Sequence, residues 1–359
     1  MKILLVDQFN GGGGGQQCLL DLVPGLIGRG WSVHAAIPAG GTLGDRLAAG
    51  GVKVHHFSPF DYRNGRKTLW DAARFGLDTP RLAVALALLS RREGVDVVYA
   101  NGPRVLPAAA LASNRLVFHM HSLLIGAAAR ALTEVSLRTR NVTVIAACRF
   151  VAGPVKSFLR EEKLHLVYSG VADHGGLEHA NLMPRIGMLG RISEEKGHLD
   201  FLRAARILVD KAVHCEFVIC GAPLYSDGAY LSEVRDLARG LPVTFLDWVE
   251  DIGPVLRQLD VLAVPSSGID AAPRVIMEAF SAGLPVVAYR SGGIPELIDH
   301  ERNGILTSPN PEALAECLLD LVADREERRR LRECGRRTYL ARFTVERFRQ
   351  EVLAVLERV

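Results

Sequence analysis

The stretch Pro265-Ser266-Ser267-Gly268-Ile269-Asp270-Ala271-Ala272-Pro273-Arg274-Val275-Ile276-Met277-Glu278-Ala279-Phe280-Ser281-Ala282-Gly283-Leu284-Pro285-Val286-Val287-Ala288 reads as strand end, loop, helix and strand in succession. Asp270 falls in the loop and Glu278 eight residues later on the helix. Ser291-Gly292-Gly293-Ile294-Pro295-Glu296 then puts a third carboxylate just beyond the next strand. Carboxylates gathered at successive strand ends suit a polyhydroxylated ligand, because each accepts hydrogen bonds from sugar or ribose hydroxyls. Backbone amides at Ala271, Ala272 and Arg274 open the helix toward an anion or a hydroxyl cluster.

Outward from this stretch, short β-branched runs alternate with amphipathic ones along the chain, the pattern of βαβ units and parallel sheets. The first half reads as strands at 2–6, 32–37, 52–57, 95–100, 116–121, 142–147 and 165–168, with a first helix over 16–29 and another over 125–140. The glycine-rich run Ser169 to Gly176 reads as a linker, with a composition shift near residue 175. Alternation restarts with strands at 185–189, 215–220, 243–246, 261–264, 285–288 and 304–306. From Pro311 to Val359 the pattern is helical, with Gly335 as the expected break. The expected organisation is two α/β domains of Rossmann-like build, 1–172 and 173–340, their parallel sheets facing a central ligand-binding cleft. The segment 341–359 is expected to be a final helix able to pack back on the first domain.

The 359 residues allow two domains, and 48% apolar with 23% charged residues excludes disordered and collagenous classes. The longest apolar run, Leu82 to Leu89, is too short to span a bilayer. Asp7 cuts the apolar opening Ile3-Leu4-Leu5-Val6 short of a signal-peptide core, so a cytoplasmic location is expected. Lysine plus arginine number 43 against 40 acidic residues, too even a balance to argue for nucleic acid. The six cysteines include no C-x-x-C pair, so reduced thiols without zinc are the default reading.

Two glycine loops carry the anion argument. Asp7-Gln8-Phe9-Asn10-Gly11-Gly12-Gly13-Gly14-Gly15 joins the first strand to the first helix, where bare amides admit a phosphate or a sugar; a turn without ligand is the alternative. A dinucleotide site is disfavoured, because the second strand ends Ala35-Ala36-Ile37-Pro38 with no acidic residue for a ribose. In the second half, Gly190-Arg191-Ile192-Ser193-Glu194-Glu195-Lys196-Gly197 again joins strand to helix, and Arg191 and Lys196 can both point at the loop mouth. Two cations and a helix start can hold a diphosphate leaving group without metal. His119 and His121 share a face if their strand continues, so a buried pair or two metal ligands are both open on spacing alone.

Taken together, these motifs resemble the retaining glycosyltransferases of family 4, group 1, with the two-domain glycosyltransferase-B (GT-B) fold, over essentially the whole length. The resemblance rests on the acidic pair Asp270 and Glu278 with seven residues between, the strand Ala282-Gly283-Leu284-Pro285-Val286-Val287 after it, and Gly292-Gly293-Ile294-Pro295-Glu296. Gly190-Arg191 with Lys196-Gly197, Val218-Ile219-Cys220-Gly221, Leu262 to Ser266, the first glycine loop and His121 support it.

The resemblance implies transfer, with retention, of a hexose-like unit from a nucleotide-diphosphate sugar, UDP- or GDP-linked, to a hydroxyl of a glycan, lipid-linked or small-molecule acceptor. It implies that Arg191 and Lys196 bind the donor diphosphate, Asp270 contacts the donor sugar, Glu278 holds the ribose, and Glu296 supports the site. Ala271, Ala272, Pro273, Arg274 and Val275 would cradle sugar and phosphate by their backbone, Gly12, Gly13, Gly14 and Gly15 would border the reacting sugar, and His121 would lie against it. No D-x-D pair occurs, so no metal or other cofactor is expected. The sequence departs from the family pattern at Asp270, where glutamate is usual, and at Ala271-Ala272-Pro273, Ser169 and Cys148. A sugar-nucleotide epimerase of the same fold and a non-catalytic nucleotide-sugar binder are the alternatives. Arg63, Arg66, Lys67, Arg130, Arg138 and Arg140 could meet an anionic lipid surface, at the inner face of a membrane, if the acceptor is lipid-linked.

Overall fold

The computed structural model describes residues 1–57, 69–138, 141–176, 183–224 and 228–359. Of the expectations above, Arg63, Arg66, Lys67 and Arg140 lie outside the described residues. The chain forms two compact units, Met1–Gly170 with Val345–Val359, and Val171–Thr344.

The first unit runs β1 (Lys2–Asp7), α1 (Gly14–Gly28), β2 (Ser32–Pro38), α2 (Leu43–Ala49), β3 (Lys53–Phe57), α3 (Leu69–Glu93), β4 (Val97–Asn101), α4 (Leu106–Ala112), β5 (Leu116–Met120), α5 (Ala127–Arg138), β6 (Val142–Ala146), α6 (Arg149–Lys156) and β7 (Leu164–Leu166). Its sheet is parallel throughout the described pairs, in the order β3-β2-β1-β4-β5-β6-β7. β1 explains its own central place: after Lys2 every residue is buried, as a strand covered on both faces requires. The strand order reverses between β1 and β4, where open parallel sheets leave room for a ligand beyond the carboxyl ends. Asp7 and Asn101 end those two strands and are register partners.

One face of this sheet packs on α1, whose buried residues Cys18, Leu19, Leu22, Val23 and Leu26 recur at the helical period. α1 begins inside the glycine run at Gly14, two residues earlier than the sequence pattern indicates. Helix propensity disfavours glycine there, but tertiary contact overrides it: a Cβ on Gly15 would come within 3.3 Å of the His121 ring.

The second unit runs β8 (Arg185–Leu189), α7 (His198–Asp210), β9 (Glu216–Cys220), α8 (Ala229–Leu237), β10 (Val243–Leu246), α9 (Gly253–Leu256), β11 (Val261–Val264), α10 (Arg274–Ala282), β12 (Val286–Tyr289), β13 (Ile305–Thr307), α11 (Pro311–Ala323) and α12 (Arg325–Arg342). Its parallel sheet has the order β10-β9-β8-β11-β12-β13, with the reversal between β8 and β11. Ile186, Met188, Phe217, Ile219, Ala263 and Val287 meet Phe201, Leu208, Leu314 and Leu318 in its core.

The tail differs from the sequence reading. Gly335 lies inside α12 and is no break; a Cβ there would stand 2.9 Å from the buried Phe280 ring, so the glycine lets α12 approach α10 closely. The breaks fall instead at Asp324, which accepts from the Glu327 amide at 2.9 Å and caps α12, and at residues 343–344 before the last helix; Asn310 opens the tail by accepting from the Ala313 amide at 2.8 Å. The last helix, α13 (Val345–Leu356), buries Phe348, Val352 and Leu356 against α1, and Arg349 Nε donates to the Asp21 carbonyl at 2.6 Å. The expected linker is tied down as well: Ser169 is buried, Val171 bridges to Thr344, and Asp173 pairs with Arg336. No helix among the described residues is long and apolar enough to cross a membrane.

Candidate functional site

In the second unit three loops meet at the carboxyl ends of β8, β11 and β12. The loop after β8 carries Arg191 and ends in a single 3-10 turn, Glu194–Lys196. The loop after β11 carries Asp270, and the one after β12 carries Glu296 in the 3-10 turn Ile294–Glu296. Backbone and hydroxyl bonds stitch them together. The Ser267 amide donates to the Glu195 carbonyl at 2.8 Å, Ser291 Oγ to the Ser266 carbonyl at 2.5 Å, and the Gly293 amide to the Asp270 carbonyl at 3.0 Å. Two left-handed glycines make the closeness possible. Side chains at Gly197 and Gly292 would stand 2.1 Å from the Pro265 carbonyl oxygen and 2.2 Å from that of Asp270.

Lys196 Nζ lies 2.6 Å from Asp270 Oδ2, with both side chains mostly shielded. Arg191 pairs with Glu195 at 2.9 Å, and Arg274 Nε stands 3.7 Å from Glu278 Oε1 in the first turns of α10. The sequence reading put Arg191 and Lys196 at the loop mouth; there each is matched by a carboxylate. Half-shielded cations next to bare loops would repel one another, and the carboxylates hold them in place. An arriving diphosphate supplies the negative charge these cations can take instead. Glu195 was not among the expected site residues, and only its place in Glu194-Glu195-Lys196 hinted at it. Ala271, Ala272 and Pro273 lead into α10, whose helical residues begin at Arg274 and Val275, at the positive end of the helix dipole. Glu296 is half-buried, and its carbonyl accepts from Arg342 at 2.9 Å.

In the first unit a second polar cluster sits at the ends of β1, β4 and β5. Asp7 is fully buried and receives Asn101 Nδ2 at 2.5 Å, Gln16 Nε2 at 3.0 Å on each oxygen, and the Phe9 amide at 2.8 Å. Burial nonetheless pushes its carboxyl up to about 6, the hydrogen bonds only partly opposing it. Asn101 Nδ2 also donates to the Gly15 carbonyl at 3.1 Å, and Asn101 Oδ1 lies 2.7 Å from His121 Nε2. His121 follows the last residue of β5, its ring 3.8 Å from that of His119 between centroids. His119 is buried and bonded through Nδ1 to the Tyr99 hydroxyl, and burial holds its pKa well below the ordinary value. Among the described residues no three His, Cys, Asp or Glu side chains converge as metal ligands. Of the glycine loop, Gly13 caps α1, Gly14 and Gly15 lie in its first turn, and Gly12 lies just before it. Asp7, Gln16 and Asn101 were not singled out from sequence; the signal was a polar residue closing each of the apolar runs Ile3 to Val6 and Val97 to Ala100.

Residues 13–170 match the family model described as "Glycosyl transferase 4-like domain", and residues 183–324 the one described as "Glycosyl transferases group 1". "Spore coat protein SA" of Bacillus subtilis is 30% identical over 179 residues, 47% of this chain and 48% of that one. The chain thus spans about half the length of that relative in the match. The "Lipopolysaccharide core biosynthesis glycosyltransferase LpsE" of Rhizobium meliloti is 25% identical over 361 residues, 97% of each chain. The crystal structure of Anabaena HepE in complex with UDP and glucose superposes with a TM-score of 0.85 at 22% identity, covering 100% of both chains. The fold is therefore that of GT-B glycosyltransferases, two Rossmann-like α/β domains each built on a parallel sheet.

Proposed function

Since the chain belongs to the group 1, family 4-like glycosyltransferases, we propose that it moves a sugar from a nucleotide-diphosphate sugar to an acceptor hydroxyl, with retention and without a metal. The observation that carries this reading is the Lys196, Asp270 and Arg191 cluster at the switch point of the second sheet, fronting the start of α10. The bond from the anomeric carbon to the phosphate oxygen breaks as the acceptor oxygen bonds to the same face, and the acceptor hydroxyl's proton passes to the departing phosphate. Negative charge gathers on the departing diphosphate. Arg191, Lys196 and the α10 amides are already in place to meet that charge, which is what lowers the barrier. Asp270 and Glu278 accept from sugar and ribose hydroxyls, Glu296 supports the loop, and His121 acts at the reacting sugar. HepE was crystallised with UDP and with UDP-glucose, which supports a UDP-linked donor here.

A thermal-shift screen of UDP-, GDP-, ADP- and TDP-sugars, with and without magnesium, tests it on wild type and Lys196→Ala. A donor at 100 times its dissociation constant adds about 2.7 kcal/mol of stability. The expected result is a shift with one nucleotide class, indifferent to magnesium and to chelator and lost in Lys196→Ala, together with a kcat drop of about 10²- to 10³-fold. No shift with any donor would sink the reading.

We also propose that the acceptor is presented at an anionic lipid surface, on which the chain docks through α3. Trp70, Leu77, Val84 and Leu88 are 75%, 64%, 60% and 60% exposed and fall within roughly 40° on the helical wheel. Arg81 and Arg92 flank the stripe with side chains 78% and 68% exposed, while their partners Asp78 and Glu93 are tucked in at 20% and 14%. Anionic headgroups complement such a face. A second copy would set these arginines against their own counterparts. Flotation with phosphatidylcholine vesicles containing phosphatidylglycerol should carry the chain up at low salt, and Leu77→Glu with Leu88→Glu should leave it at the bottom. Equal flotation of wild type and variant would refute lipid docking by α3.

A further inference from the structure

The sheet register places Asp7, Asn101 and His121 in a line, and hydrogen-bond chemistry allows that line only one polarity. Asp7 Oδ2 and the Gly15 carbonyl oxygen can only accept from Asn101 when Asp7 is ionised, so both hydrogens of Asn101 Nδ2 are committed to them. Exchanging the amide's nitrogen and oxygen would press an oxygen against Asp7 at 2.5 Å and leave the nitrogen facing His121. Asn101 Oδ1 therefore faces the ring, and His121 Nε2, 2.7 Å away, must be the donor. Gln16 and the Phe9 amide hold the far side of Asp7, so the carboxylate cannot turn to release Asn101.

We propose that Asp7 and Asn101 are positioning residues that fix His121 as its Nε2–H tautomer and make Nδ1 the ring's acceptor atom. A histidine held this way takes a hydrogen bond from a sugar hydroxyl instead of giving one, and so selects donors that carry a hydroxyl at that point. The inference rests on the proposed role of His121 at the reacting sugar. The other titratable groups at the cluster do not contest the assignment. His119 lies against His121 with the rings tilted by 36°, but it is held neutral by burial, and its Nδ1 is engaged by Tyr99. Arg104 lies over the Phe9 ring, 5.4 Å from its centroid, and its amide donates to Gln8 Oε1.

Nitrogen-15 NMR of the imidazole rings in the full chain reads the tautomer directly, with the His121 signals assigned by their loss in His121→Gln. At pH 7.5 the expected spectrum shows His121 protonated on Nε2, and in Asn101→Ala the two tautomers exchange. Asn101→Ser serves the same purpose if the alanine variant does not fold. With UDP-glucose as the probe donor, Asn101→Ala should lower kcat about 10- to 100-fold with KM unchanged. On a His121→Ala background the same change should lower it no further, whereas a merely structural role would add in full. An Nδ1–H tautomer in wild type, a tautomer indifferent to Asn101, or additive losses would each overturn the proposal. Full turnover in His121→Ala would instead remove the functional reading of His121, and the NMR result would still decide what Asp7 and Asn101 do.

Discussion

Asp7 shows at the scale of one residue how a functional cluster is kept at a cost in stability. Its carboxyl is lifted from the ordinary 3.8 to about 6 because no water reaches it, although four polar groups donate to it. The folded chain thus holds this proton more tightly than the unfolded chain does. The group's favourable contribution is complete below about pH 4 and is lost as pH rises through about 6. Keeping Asp7 ionised at neutral pH therefore costs about 3 kcal/mol. We predict that Asp7→Asn melts higher than wild type at pH 8, by about 5 to 10 °C for its unit, and that the difference closes below pH 4. A melting difference independent of pH would show that the burial cost has been relieved elsewhere. The same substitution should impair turnover, since Asn101 then loses a charged anchor. Lys196 and Asp270 follow the opposite logic: each supplies the other's charge at 2.6 Å, and removing one strands the other in a half-shielded loop.

Among the elements, α10 and α12 decide how firmly the second-unit cluster is seated. α10 carries Arg274 and Glu278 at its start and buries Phe280 under α12. Gly335→Ala makes this packing measurable, because two known effects have opposite signs. Helix propensity alone favours alanine by about 1 kcal/mol inside α12. The added Cβ, however, meets the buried Phe280 ring at 2.9 Å, and overpacking costs about 1 to 3 kcal/mol. We expect Gly335→Ala to lower the melting temperature of the second unit, and Gly335→Val to lower it more while weakening nucleotide binding through a shifted α10. A rise in melting temperature on Gly335→Ala would show that Phe280 gives way. From sequence this glycine reads as punctuation, because a helix breaker and a close-approach glycine are the same letter. Asn310 and Asp324, which do end and begin helices, are legible as caps by their place before Pro311 and two residues before Glu326.

For the molecule as a whole, periodicity carried most of the information. Strands such as Arg185–Leu189 and Val261–Val264 were readable to the residue, because a central parallel strand is a continuous apolar run bounded by turns, and so was the edge strand Val243–Leu246, although its Thr244 is exposed. Asp270, Glu296, Arg191 and Lys196 stood out because charge just beyond an apolar run is conspicuous, and Glu278 as the lone acid within the apolar stretch of α10. The lipid-docking prediction belongs to this scale too, since exposure of the α3 stripe depends on which face the sheet covers. What the amino-acid sequence determined by itself was therefore the class of fold, the places of the strands, with edges one or two residues off at β4 and β7, and several of the charged residues at strand ends, all of which follow from local periodicity. Which of those charges pair, and which polar residues join them, was decided only by tertiary structure. Asp7, Asn101 and His121 are separated by 94 and 20 positions and meet because β4 lies between β1 and β5 in the sheet. Likewise Lys196 and Asp270, 74 positions apart, meet because β8 and β11 are neighbours at the switch point. Hydrogen bonds of 2.5 to 2.7 Å are set by strand order and register, and no local pattern encodes either one.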